Sequence, residues 1–310
     1  MDDKGPAIIA LYAMKALKDK GFVPKKKIKL IVGCNEETGW ACIDHYNKVA
    51  HMPETGISPD ANFPVIYAEK GIMHIRFTFP KNGDYQVTGG NAANMVCDYC
   101  EVISSHVSTT KLTAYQLSYE EGKVVSRGKS AHGSTPDEGV NAIAPVLKYL
   151  GLDDVYRLLF VDKCGLADLE DETGKLTFSP DVIRSDEQNV YITCDMRYPA
   201  TFRSVDILNH IESLGVPFEV LHEQAPLYND KDCFLIKTLC EVYNEVTGKN
   251  VKPIAIGGGT YARALKCGAG FGPEEDGEEN VIHQPNEYIT FDKIETCFSI
   301  YTLALERLTK

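Results

Sequence analysis

The chain is expected to be an α/β protein in which a first α/β domain, residues 1–70 plus 227–310, is interrupted by an inserted α+β lid domain, residues 71–226. Three observations lead there. Helix and strand patterns alternate at both ends of the chain, the middle block changes to strands of period two, and 310 residues exceed the size at which one hydrophobic core is the usual solution.

Residues 7–20 place Ile8, Ile9, Leu11, Tyr12, Met14, Ala16 and Leu17 at helical spacing, and Gly21 follows as a stop. Residues 27–32, KIKLIV, read as a buried strand. Its C-terminal end delivers Asn35-Glu36-Glu37-Thr38-Gly39-Trp40, where open α/β sheets put their ligands. A helix over 39–49 and a strand over 64–68 follow, with Ser58-Pro59-Asp60-Ala61 as the turn ahead of that strand. In the inserted block, 73–79 and 111–118 alternate as strands, and Glu120-Glu121-Gly122 turns the second back onto 124–125. Residues 139–150, 155–161 and 204–214 are expected to be helices and 189–197 a strand. A helix over 233–247, a strand over 253–256, a helix from about 261 and a last helix over 291–308 complete the first domain. A fold of this class that opens on a crossover helix lacks the strand on which that helix packs, so the first domain is expected to be incomplete at its N-terminus.

A formal charge of −12 excludes a role resting on nucleic-acid phosphates, which needs clustered Lys and Arg. Lys25, Lys26, Lys27 and Lys29 read as a solvated edge. The ten cysteines are scattered without the framework of a small secreted domain, so reduced thiols and a cytoplasmic location are expected. The lone Cys97-Asp98-Tyr99-Cys100 lacks the second pair of a zinc knuckle. No apolar run reaches membrane-spanning length, so no membrane association is expected.

Carboxylates and imidazole are the usual donors of hydrolytic zinc, which makes Asp2, Glu37, Asp60 and His283 candidate metal ligands. Each also has an ordinary reading: a helix N-terminal charge for Asp2, a turn residue for Asp60, an exposed loop histidine for His283. Glu36 is a candidate general base or a solvated loop acid. His132, in Gly128-Lys129-Ser130-Ala131-His132-Gly133, is a candidate oxyanion donor or a hairpin histidine. Arg197 and Arg263 are candidate clamps for a substrate carboxylate or ordinary ion-pair partners. The turn Gly257-Gly258-Gly259-Thr260, ahead of a helix, suits an anion but lacks the lysine of a nucleotide loop.

Six segments together resemble the PepV-type (carnosinase-like, Xaa-His) dipeptidases, co-catalytic zinc exopeptidases akin to succinyl-diaminopimelate desuccinylase and acetylornithine deacetylase. They are Asp2-Asp3-Lys4-Gly5-Pro6, residues 35–40, residues 58–64, Gly89-Gly90-Asn91-Ala92-Ala93-Asn94-Met95-Val96, residues 257–263, and His283-Gln284-Pro285-Asn286-Glu287. The resemblance covers nearly the whole chain. It implies a zinc-exopeptidase-like fold and a dipeptide substrate. Two Zn2+, with Mn2+ or Co2+ as substitutes, would be bridged by Asp2 and held further by Glu37, Asp60 and His283. Glu36 would be the base, and Asn94, His132 and Arg197 would grip the substrate, with Gly258, Gly259, Thr260 and Arg263 also in the substrate site. Members of that family carry a His-x-Asp strand ahead of the bridging aspartate, and this sequence contains no His-x-Asp. A truncated chain is therefore expected, one that binds metal weakly, hydrolyses little and has the missing N-terminal segment as a partner. An N-acyl-amino-acid deacylase of the same family and a non-catalytic remnant are the alternative readings.

Overall fold

The computed structural model describes residues 3–36, 39–277, 281 and 286–310. The chain divides into two compact units, Met1–Glu69 with Leu227–Lys310, and Lys70–Pro226.

Within the described residues of the first unit, Ile66–Glu69 is the hub of a five-stranded sheet. It pairs in parallel with Ile254–Ile256 and antiparallel with Leu227–Tyr228, while Cys267–Gly270 joins it to Thr55–Ser58. All four of its residues are buried, as expected for a strand covered on both faces. Helix Lys4–Asp19 turns Ile9, Ala13 and Leu17 inward against Phe291–Thr309, which also packs on Phe234–Thr247. Phe63 stacks on Tyr243 at 5.0 Å and meets Phe271 edge-on at 5.2 Å, joining sheet to helices.

The second unit holds an antiparallel sheet of eight strands. In spatial order they are Phe218–Gln224, Gly71–Pro80, Asn189–Tyr198, Thr177–Ser185, Tyr85–Gly89, Tyr99–Ser104, Lys123–Arg127 and Ser118–Glu120. Along Gly71–Pro80 the side chains Met73, Ile75, Phe77 and Phe79 are buried, while His74, Arg76 and Thr78 between them are half-buried. Period two therefore divides this strand between a core face and a polar face. The core face gathers Ile143, Val146, Leu147, Leu159, Ile207 and Ile211 from the neighbouring helical segments.

Two expected strands are corrected. Residues 27–32 form no regular element and have no ladder partner among the described residues, and Leu30 and Val32 are 37% and 74% exposed. An apolar run becomes a strand only when a neighbour takes up its N–H and C=O groups. Within 111–118, the chain instead forms the short helix Thr109–Ala114, whose first turn is capped by Ser108: its hydroxyl accepts from the Lys111 N–H at 3.4 Å. The expected helix at 261 is a single 3-10 turn, Tyr261–Ala264. The Cys97 and Cys100 side chains are buried, and burial pushes the Cys97 thiol up to about 12, which disfavours the thiolate that a metal needs. No helix among the described residues is long and apolar enough to cross a membrane.

Gly71 begins its strand beneath the ring of Tyr198, where a Cβ would stand 1.9 Å from Cζ. Both residues lie in the second unit and Tyr198 is fully buried. Gly71→Ala is therefore expected to overpack this core and cost about 1–3 kcal/mol, read as a lower urea midpoint with unchanged m-value.

Candidate active site

In the first unit, two sequence motifs meet at Tyr261. Asn35 closes the loop that follows residues 27–32: its backbone C=O accepts from Trp40 N–H at 3.0 Å and its Oδ1 from Ala41 N–H at 2.6 Å. That second bond satisfies one of the orphan donors at the start of helix Ala41–Val49. The turn forces Trp40 to φ 63°, a left-handed conformation that a bulky residue adopts only when its surroundings hold it. Tyr261 supplies that hold. Its ring meets Trp40 edge-on at 5.3 Å, its hydroxyl lies 3.1 Å from Cys42 Sγ, and it accepts from the Asn35 N–H at 3.4 Å. Gly33 runs so close that a Cβ would be 2.5 Å from the Tyr261 hydroxyl. Glu36 is half-buried in this turn. Burial first, and the Glu36 charge among lesser causes, push the Tyr261 hydroxyl up.

The Gly257–Thr260 turn holds an anion, and the anion belongs to the protein. Glu69, fully buried at the end of the hub strand, accepts from the Thr260 hydroxyl at 2.7 Å and the Thr260 N–H at 3.1 Å. It also accepts from Arg263 Nε at 2.6 Å, and Arg263 Nη2 donates to the Gly258 carbonyl at 2.8 Å. Gly259 leaves room for this guanidinium, since a Cβ there would stand 2.9 Å from Arg263 Cζ. Arg263, a candidate clamp for a substrate carboxylate, thus has an internal carboxylate as a partner. Its side chain is 5% exposed and engaged with Glu69, because a buried carboxylate requires a charged partner. Burial raises the Glu69 carboxyl, against the pull of Arg263 and Thr260.

Of the expected metal ligands, Asp2, Glu37 and His283 lie outside the described residues. Asp60 is half-buried on the connection between Thr55–Ser58 and Ala61–Asn62. Nearby, the buried Tyr301 hydroxyl finds no hydrogen-bond partner among the described residues. Burial chiefly, then the charges of Cys297, Asp3, Asp60 and Glu274, push it up. An acidic neighbourhood fits a divalent cation by donor chemistry. Among the described residues, however, no three His, Cys, Asp or Glu side chains form a metal-holding group.

In the second unit the structure gathers Asn94, His132 and Arg197. Met95 and His132 form an isolated antiparallel bridge, and Gly133 N–H donates to the Asn94 carbonyl at 2.7 Å. Gly133 then lies against Asp195, where a Cβ would be 2.7 Å from Oδ2. Asp195 receives Arg197 in bidentate fashion, Nε on Oδ1 at 2.6 Å and Nη2 on Oδ2 at 2.7 Å. His74 Nε2 lies 3.4 Å from the same Oδ2. Burial would raise the Asp195 carboxyl, but the nearby His74 ring and the Arg197 hydrogen bonds outweigh it and hold the group below the usual carboxylate range. His132 is exposed, with Nδ1 2.7 Å from Ser134 Oγ.

Sequence reasoning did not single out Glu69, Asp195 or Tyr261. For Asp195 a signal existed. Asp195-Met196-Arg197 lies on a strand, and a separation of two puts its acid and base on one face. For Glu69 no local signal existed, since its partners are nearly two hundred residues away.

Asp181 is a further buried acid in the second unit. Burial pushes its carboxyl up to about 8, with the Asp195 charge adding and the Ser179 hydrogen bond and Arg197 opposing. A folded-state value above the unfolded one, about 3.9, means that the stabilisation is fully present below about pH 4 and is lost as pH rises toward about 8. Asp181→Asn cannot ionise and lacks this loss. Wild type should weaken relative to the variant by about 1.4 kcal/mol per pH unit across that window, measured by urea unfolding at several pH values.

Residues 1–307 match the sequence model of peptidase family M20/M25/M40. "Putative dipeptidase YtjP" of Bacillus subtilis is 33% identical over 350 residues, covering 100% of this chain and 75% of the relative. A similarly described dipeptidase of Staphylococcus saprophyticus is 33% identical over 354 residues, covering 99% of this chain and 75% of its own length. Among solved structures, a Staphylococcus aureus tripeptidase superposes with TM-score 0.56 at 16% identity, covering 99% of this chain and 71% of that one. Human carnosine dipeptidase 1 gives TM-score 0.52 at 13% identity, over 99% of this chain and 71% of that one. These two carry the likeness of fold. With a family match across nearly the whole length and relatives one third identical, the chain belongs to peptidase family M20/M25/M40.

Proposed function

We propose that this chain is a PepV-type metallodipeptidase, hydrolysing the peptide bond of dipeptides, with Xaa-His dipeptides as the substrate class. The observation that carries the proposal is one-third identity, along the whole chain, to relatives described as dipeptidases.

The proposal assigns the residues of each unit. Asp2, Glu37, Asp60 and His283 would hold zinc, or manganese or cobalt in its place. When bound, such ions supply an acidified water and polarise a carbonyl. Glu36 takes a proton from the attacking water and hands it to the leaving amine. Gly258, Gly259, Thr260 and Arg263 contribute to the substrate site, in a turn that Thr260 and Arg263 also tie to Glu69. In the second unit His132 donates to the carbonyl oxygen as it gains charge. Asn94 holds the substrate backbone, and Arg197, oriented by Asp195, meets the substrate carboxylate. Residues 1–310 contain no His-x-Asp, and the polypeptide of these residues by itself is proposed to hold metal weakly and to turn over slowly.

The test is turnover of Xaa-His dipeptides and of N-acetyl amino acids with added zinc, manganese or cobalt, alongside metal stoichiometry. Dipeptides should be cleaved, a chelator should stop the reaction, and Glu36→Gln should lower it by roughly 10²–10⁴. Cleavage indifferent to chelator and to Glu36→Gln would overturn the mechanism. Preference for acetylated amino acids would shift the substrate class to that of a deacylase. Two tightly bound zincs per chain with brisk turnover would sink the expectation of a weak site.

A further inference from the structure

We propose that Ser134 is a positioning residue for His132, fixing its imidazole as the Nε2–H tautomer so that the neutral ring donates a hydrogen bond through Nε2. The inference rests on the reading of His132 as a donor to the substrate carbonyl, and it is drawn from two contacts to one atom. Ser134 Oγ lies 2.7 Å from His132 Nδ1, and the Ser134 backbone N–H donates to that same Nδ1 at 3.3 Å. A backbone N–H cannot reverse its role. A proton on Nδ1 would point at the amide hydrogen, so Nδ1 is the acceptor and the hydroxyl must donate as well. The single ring proton of the neutral imidazole is then on Nε2.

The rest of the segment keeps the pair in register. Met95 and His132 form their bridge on one side. Gly133 donates to the Asn94 carbonyl at 2.7 Å, and the Thr135 N–H donates to the His132 carbonyl at 2.9 Å, folding 132–135 into a turn. That turn returns Ser134 to the ring of the residue two positions earlier. Ser134 is only half-buried, so replacing its hydroxyl removes one donor without opening a core.

The test uses the full chain labelled with 15N-histidine, and reads the ring nitrogens through their long-range proton couplings at about pH 8, above the ordinary imidazole range. The signals missing from His132→Gln identify His132. Wild type is expected to show the Nε2–H pattern alone, and Ser134→Ala the tautomer mixture of an unconstrained ring, with Ser134→Thr restoring the wild-type pattern. In turnover, Ser134→Ala should lower kcat by roughly tenfold with little change in KM, less than the 10²–10³ expected for deleting an oxyanion donor outright. An Nδ1–H pattern in wild type, or identical ring spectra in wild type and Ser134→Ala, would overturn the proposal. So would an unchanged kcat in Ser134→Ala where His132→Gln is impaired. Unchanged turnover in His132→Gln would instead remove His132 from the reaction, a failure of the proposed function that the ring spectra tell apart from a failure of the Ser134 contact.

Discussion

The first unit depends on one buried carboxylate. Glu69 has no access to solvent and stands at the end of the strand with which every other core pairing of that sheet is connected. Water cannot solvate it, so three donors from a single turn do: the Thr260 hydroxyl, the Thr260 amide and the Arg263 guanidinium. The turn is thereby tied to the sheet, and Tyr261, the residue after Thr260, is carried into place against Gly33, Asn35, Trp40 and Cys42. The position of Glu36 follows from that series of contacts. Removing either charge of the pair would strand the other in a dry site, a cost of about 3–5 kcal/mol. The ion pair matters for the site because it fixes the geometry of loops that have little other secondary structure to hold them.

The second unit solves the same problem with a different element. Asp195 and Arg197 are two residues apart on one strand, so the pleat puts both on the polar face with the intervening Met196 turned to the core, and the bidentate contact forms between them. The residues opposite Asp195 in the ladder are His74 on one side and Ser179 on the other, so the polar face continues as a row across three strands. Gly133 lies on that row without a side chain because Asp195 occupies the space. One carboxylate thus orients the guanidinium of Arg197 and sets the height of the backbone that bears His132.

Much of this was legible in the sequence where the signal was local. The helix expected over 7–20 is Lys4–Asp19, where Ile9 and Leu17 are buried while Ile8, Leu11 and Tyr12 of the same apolar pattern are exposed, and the alternation through Met73, Ile75, Phe77 and Phe79 is the core face of Gly71–Pro80. The errors share one cause, in that the deciding partner was remote or was a single capping atom. KIKLIV carries the composition of a strand, but a strand is a relation between two segments, and Val32 is left 74% exposed. Residues 111–118 were expected as a strand, but their first half belongs to the helix Thr109–Ala114, with Ser108 at its N-cap. The site divides in the same way. Asn94, His132 and Arg197 fall in one neighbourhood, whereas the acids that orient the two arginines were not singled out: Glu69 has its partners nearly two hundred residues away, and the spacing of two between Asp195 and Arg197 is a signal only once the segment is known to be a strand.

The two arginines also illustrate why a residue type alone does not assign a role. Both were candidates for gripping a carboxylate, and both do grip one, each belonging to the protein itself. A guanidinium has five N–H groups on two usable edges. In Arg263 one edge meets Glu69 and Nη2 also reaches the Gly258 carbonyl, so the group is enclosed by its own turn and acts as a brace. In Arg197 the Nε and Nη2 edge is held by Asp195 through two parallel hydrogen bonds, which fixes the plane of the guanidinium. An arginine oriented in this way presents a fixed set of donors and loses little side-chain freedom on binding, which is the advantage of a preorganised contact. The internal carboxylate is therefore what turns a flexible cation into a directional one.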